Sequence, residues 1–167
     1  MKRRSERIQG LALISMAVAA AMLLSFIESL LPAFVPIPGI KIGLANIAVI
    51  FILYDKGAPS AAAVSLVRVF LVALLFGSFV SMVYGLAGAV VSLAVMVLLK
   101  KITPLSQIGV SVAGGVAHNM AQIGIACLIM GSARVLYYLP FLILSGTLSG
   151  IAIGVASGLL VKRLGKT

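Results

Sequence analysis

The sequence is short of almost everything that a water-facing surface requires. Only 10% of its 167 residues are charged, and just three are acidic: Glu6, Glu28 and Asp55. A soluble domain carries about a quarter charged residues. Side chains this sparse could not cover its surface, so a soluble globular fold is excluded. Tryptophan is absent, and Cys127 is the sole cysteine. One thiol inside an apolar run allows neither a disulfide framework nor a cysteine-based metal centre within the chain. Only one acid, Glu28, lies inside an apolar run. That excludes paired-carboxylate catalysis and magnesium held between aspartates. The Walker A, GxSxG and HExxH patterns are missing too. The expectation is therefore a protein that is not an enzyme, with no catalytic residue, metal or cofactor. Any active transport would draw its energy from a partner or an ion gradient.

What the chain does have is hydrophobicity: 62% apolar residues and a mean hydropathy of +1.26. The apolar runs are Leu11–Leu31, Ile42–Tyr54, Ser60–Phe76, Phe79–Leu99, Ile108–Met130 and Tyr138–Val161. A bilayer core of about 30 Å takes roughly 20 helical residues. Four runs meet that length. The second and third are marginal and are expected to be tilted, broken or partly re-entrant. Turn signals separate the runs at Pro32–Gly39, Asp55–Pro59, Gly77-Ser78, Thr103-Pro104 and Gly131–Arg134. The first run is too long for a signal-peptide core and has no evident cleavage site, so it is expected to remain as a span. The fold expected is a single all-α integral membrane domain over residues 1–167, a bundle of six transmembrane helices.

Net charge is +10, and its placement matters more than its size. Lys2, Arg3, Arg4, Arg7, Lys56, Lys100, Lys101, Lys162, Arg163 and Lys166 fall on one side of a six-span arrangement. Lys41 and Arg134 fall on the other, and Arg68 lies within a span. Basic residues collect on the cytoplasmic side, so the expected topology is N-in, C-in. The same bias accounts for the positive charge without invoking nucleic acid.

Small residues recur every three or four positions at Ala17, Ala21 and Ser25, at Gly85, Gly88 and Ser92, and at Gly146, Gly150 and Gly154. Such stripes let helix backbones approach closely. Each fits packing within the bundle, and the first is also the candidate for docking a membrane partner.

An ionisable residue in a span is expensive and is by default a functional-site hypothesis. Glu28, Lys41, Asn46 and Tyr84 are expected in the outer half. Arg68 and His118 are expected near the midplane, with Gln122 sharing the His118 face at i+4 and Asn119 adjacent. Residues of five spans approach a common depth, which points to an outward-facing polar pocket. Glu28 is expected to pair with Lys41 or Arg68. The substrate-binding set is thus Glu28, Lys41, Asn46, Arg68, Tyr84, His118, Asn119 and Gln122, with Pro36–Lys41 as a candidate lid. One excess positive charge there favours an anionic or aromatic solute.

Two blocks carry a family resemblance. They are Leu24–Ser29 with Pro38–Ile47, and Gly109–Gln122 with Tyr137–Pro140. Together they resemble the Gx transporter family, whose members are often labelled heptaprenyl diphosphate synthase component I. That family looks related to the substrate-binding S components of energy-coupling factor importers. The resemblance implies an S-component-like six-helix bundle in a cell membrane, the bacterial cytoplasmic membrane being the natural setting. It also implies a vitamin- or cofactor-like solute bound from outside, and a membrane coupling subunit with cytoplasmic ATPases docking on the first-span stripe. The synthase label conflicts with the residues, because prenyl diphosphate synthases use aspartate-rich magnesium motifs. The alternative is a non-catalytic accessory protein linked to isoprenoid or quinone synthesis, or to a membrane electron-transfer assembly.

Overall fold

The computed structural model describes residues 2–30 and 43–165. Every regular element among them is helical. The order is α1 (Lys2–Leu30), α2 (Asn46–Asp55), α3 (Ala58–Phe76), α4 (Phe79–Ile102), α5 (Gln107–Met130), a short 3₁₀ helix (Ala133–Tyr138) and α6 (Leu139–Leu164). Five helices among the described residues are long and apolar enough to cross a bilayer: α1, α3, α4, α5 and α6. This is the architecture of a multi-pass membrane protein.

The second expected span differs. The run Ile42–Tyr54, marginal in length and expected to be tilted, broken or partly re-entrant, holds the helix α2, only ten residues long. At 1.5 Å per residue it covers about 15 Å, half of a bilayer core. The shortening has a local cause. Gly43 adopts φ +76°, and a turn holds Leu44 and Ala45, with Asn46 N donating to Gly43 O at 2.8 Å. Helical hydrogen bonding therefore begins only after the glycine. In contrast, α3 runs for 19 residues because Pro59 sits in its first turn, where a missing N–H costs nothing.

The expected turns at the other junctions are present, with recognisable chemistry. Ser78 and Ser81 form a reciprocal capping box at the start of α4. Ser106 caps α5 by accepting from Gly109 N, and Gly131 closes the same helix in the left-handed conformation. The Pro32–Gly39 turn lies outside the described residues.

Glycine determines how the bundle packs. Gly115 and Gly146 face each other across α5 and α6, and a Cβ on Gly115 would stand 2.6 Å from the Gly146 carbonyl oxygen. Gly150 meets the Val112 backbone equally closely. On α4, Gly88 lies flat against the His118 ring of α5. The stripes on α4 and α6 are thus seams inside this bundle. So is that of α1: Ala17 and Ala21 are buried in the core with α2 and α3 residues, 8% and 0% exposed, so neither is on an outer face.

Candidate functional site

The helix order sets up the site. α1, α3 and α5 end where α2, α4 and α6 begin, so these six helix ends share one end of the bundle. At that end α2 is too short, and α1 packs chiefly on α2 and α3. A cavity of about 310 Å³ results, walled by α1, α3, α4 and α5 and by the start of α2.

Six of the residues picked out by sequence line this one cavity: Glu28, Asn46, Arg68, Tyr84, His118 and Gln122. They come from five helices. His118 and Gln122 share it because i and i+4 lie on one helix face. Lys41 and the Pro36–Lys41 loop lie outside the described residues.

Asn119 is placed differently. It is buried, and its Nδ2 donates to the Leu142 carbonyl oxygen of α6 at 2.7 Å. One step along α5 from His118 turns a side chain by about 100°, away from the cavity and onto the α5–α6 seam. Asn119 reaches only a smaller adjoining space of about 40 Å³, toward the centre of the bundle, which it shares with Asn46, His118, Ser92 and Ser111. Ser25, assigned to docking by its spacing, instead lines the large cavity and accepts from Arg68 Nη1 at 3.5 Å.

Of the two partners expected for Glu28, Lys41 lies outside the described residues, and Arg68 does not come within 4.0 Å as an ion pair. Glu28 Oε1 accepts from the backbone N–H of Gly43, just ahead of α2. That carboxylate therefore holds the turn into the short helix. Among the described residues Arg68 has only the long contact to Ser25, and its Nε is buried without a hydrogen-bond partner there; the same is true of Gln122 Oε1 and, in the smaller space, of Ser111 Oγ. Buried polar atoms are nearly always hydrogen-bonded, so atoms left open around a cavity mark where a ligand or water can bond.

Some wall residues were missed by sequence reasoning. Ser29, one residue past Glu28, lines the cavity. Gly43 and Gly85 also line the cavity, as does Ser81, which the sequence places with Tyr84 among the polar residues at the outer start of the fourth run. The spacing of Ser81, Tyr84 and Gly85 was the available signal, since positions three and four apart share a face. Among the described residues, no three of His, Cys, Asp and Glu come together as a metal site.

A helical multi-pass membrane protein with a polar cavity opening between its helices at one end is the class that fold and site define. A family model described as heptaprenyl diphosphate synthase component I matches residues 17–160. The chain belongs to that family. Neither the curated proteins nor the solved structures include a match.

Proposed function

We propose that the chain is a solute-binding membrane subunit of an importer of the energy-coupling factor type, taking a small solute from outside the cell. One observation carries the reading: polar side chains of five helices surround a cavity of about 310 Å³ at a depth where an unfilled polar group is costly. Small-molecule sites are concave spaces of roughly 300–1,000 Å³ with a few convergent polar groups. Arg4, Arg7, Lys56, Lys100, Lys101, Lys162 and Arg163 all sit at the opposite end of the bundle. By the positive-inside tendency that end is cytoplasmic and the cavity is external. A docking site for the coupling subunit is not carried by Ala17 or Ala21, which are buried.

The chain is non-catalytic in this reading. Three acids in the whole sequence leave no aspartate-rich magnesium motif. The test is solute uptake in cells, with variants that remove cavity groups but not the helix seams. Asn46→Ala and Gln122→Ala should each reduce uptake while the bundle stays folded. Unchanged uptake in both would sink the importer reading.

The family description favours a second reading, an accessory protein to a prenyl diphosphate synthase. Ligand-free co-purification with a soluble prenyl synthase would support it.

A further inference from the structure

The chemistry left open inside the cavity is specific enough to say what kind of solute fits. Glu28 and Arg68 are the carboxylate and the guanidinium of its wall, and their formal charges cancel. The two are not equally available. Glu28 is occupied with the Gly43 N–H, whereas Arg68 offers a buried Nε with no partner and a long, weak contact at Nη1. A guanidinium presents parallel N–H donors that match a carboxylate in a two-bond fork. The second open group has the opposite character: Gln122 Oε1 is a buried acceptor without a donor. Phe76, Val69 and Val72 of α3 and Tyr84 of α4 supply the apolar and aromatic remainder of the wall.

Charge and volume narrow the choice further. A singly anionic ligand leaves one net negative charge beside Glu28 and Arg68. A diphosphate would leave at least two, with no further Lys or Arg among the described wall residues to meet them. Each further uncompensated charge in a water-poor interior costs more, so one negative charge on the solute is favoured over two or more. A chain of seven isoprene units is also far too long for a space of about 310 Å³.

Resting on the solute-binding reading above, we propose that the cavity is a two-point site for a compact, singly anionic solute. Its carboxylate pairs with the Arg68 guanidinium, and an N–H donor at its other end is accepted by Gln122 Oε1. The hydrogen-bonded turn at Glu28 and Gly43 fixes the wall between α1 and α2 against which the solute lies.

Four probes test this by calorimetric titration of the purified full chain in detergent against empty micelles: 4-aminobenzoate, benzoate, aniline and isopentenyl diphosphate. The expected order puts 4-aminobenzoate tightest, with benzoate and aniline each about tenfold or more weaker, the factor one hydrogen bond to a charged or buried group provides. Arg68→Lys keeps the cation but loses the fork, and should remove most of the advantage of 4-aminobenzoate over aniline. Gln122→Leu should erase the difference between 4-aminobenzoate and benzoate. If the Arg68 variant does not fold, as judged by its melting, the Gln122 variant decides alone. Tightest binding of isopentenyl diphosphate, or probe preferences unchanged in the variants, would overturn the two-point site while leaving a solute-binding protein. No binding of any probe to the folded wild type would overturn both.

Discussion

Helices α1 and α2 are both strongly apolar, yet they end in opposite surroundings. Along α1, Leu11, Met16 and Leu23 are 64–69% exposed. Along α2, Val49, Ile50, Ile52 and Leu53 are at most 1% exposed. Length separates them. A helix that crosses the bilayer hydrogen-bonds its own backbone and can face lipid. A ten-residue helix ends at membrane depth, where the unpaired groups of its termini must find partners in protein. The partners of α2 come from its neighbours in space. Glu28 of α1 accepts from Gly43 N at one end. Lys100 of α4 donates to Leu53 O at 2.7 Å at the other, and its ammonium lies 4.4 Å from the centre of the Tyr54 ring. A cation at a helix C-terminus also complements the helix dipole. The charged residues nearest α2 thus hold a short helix in place, and the cavity exists because that helix stops early.

The comparison can be broken most forcefully in the middle of α2. Ile52→Ala removes a side chain with no exposure and should cost about 3 kcal/mol, through lost packing contacts more than through transfer from water. Thermal melting in micelles would read it. A loss below that of an exposed α1 substitution would mean that α2 is not the core.

Lys100→Met tests the end of the helix. It strands the Leu53 carbonyl and removes the contact with Tyr54, and should cost about 2 kcal/mol in the same assay. Faster hydrogen exchange at Tyr54–Gly57 should accompany it.

At the other end, Glu28→Ala should cost about 1.5 kcal/mol because the Gly43 N–H loses a charged acceptor. Arg68→Gln should cost less, since Arg68 makes one contact of 3.5 Å and leaves Nε unpaired. The reverse order would restore a direct Glu28–Arg68 pair as the main interaction. The smallest effect belongs to the lipid-facing side: Leu23→Ala should change melting by under about 0.5 kcal/mol.

Much of the site could be read in the sequence because polar residues in apolar runs are rare enough to count. Glu28, Asn46, Arg68, Tyr84, His118 and Gln122 stood out by type and depth, and they share one cavity. Where a residue is placed differently from the expectation, the reason is rotation or competition. Asn119 follows His118 in sequence but faces α6, because the glycine seam brings the Leu142 carbonyl within reach. Glu28 was expected to pair with Lys41 or Arg68; Lys41 lies outside the described residues, and among them the carboxylate meets the backbone N–H of Gly43 in the turn before α2. Ser25 shares its four-residue spacing with Ala17 and Ala21, yet it lies at the cavity and they lie in the core.

The sequence by itself determined that this is a helical membrane protein, because hydropathy and run length depend only on the order of residues and the thickness of a bilayer. It also determined the caps and turns, since Ser78, Ser106 and Gly131 act on backbone a few residues away. Only the tertiary structure decided that one apolar run would be a buried half-length helix, that the small-residue stripes of α4 and α6 would pack on α5 and that of α1 in the core with α2 and α3, and that Arg68 and Gln122 would line one cavity. Those outcomes depend on which helix faces which, and a side chain's partner across a bundle is set by packing that no local pattern encodes.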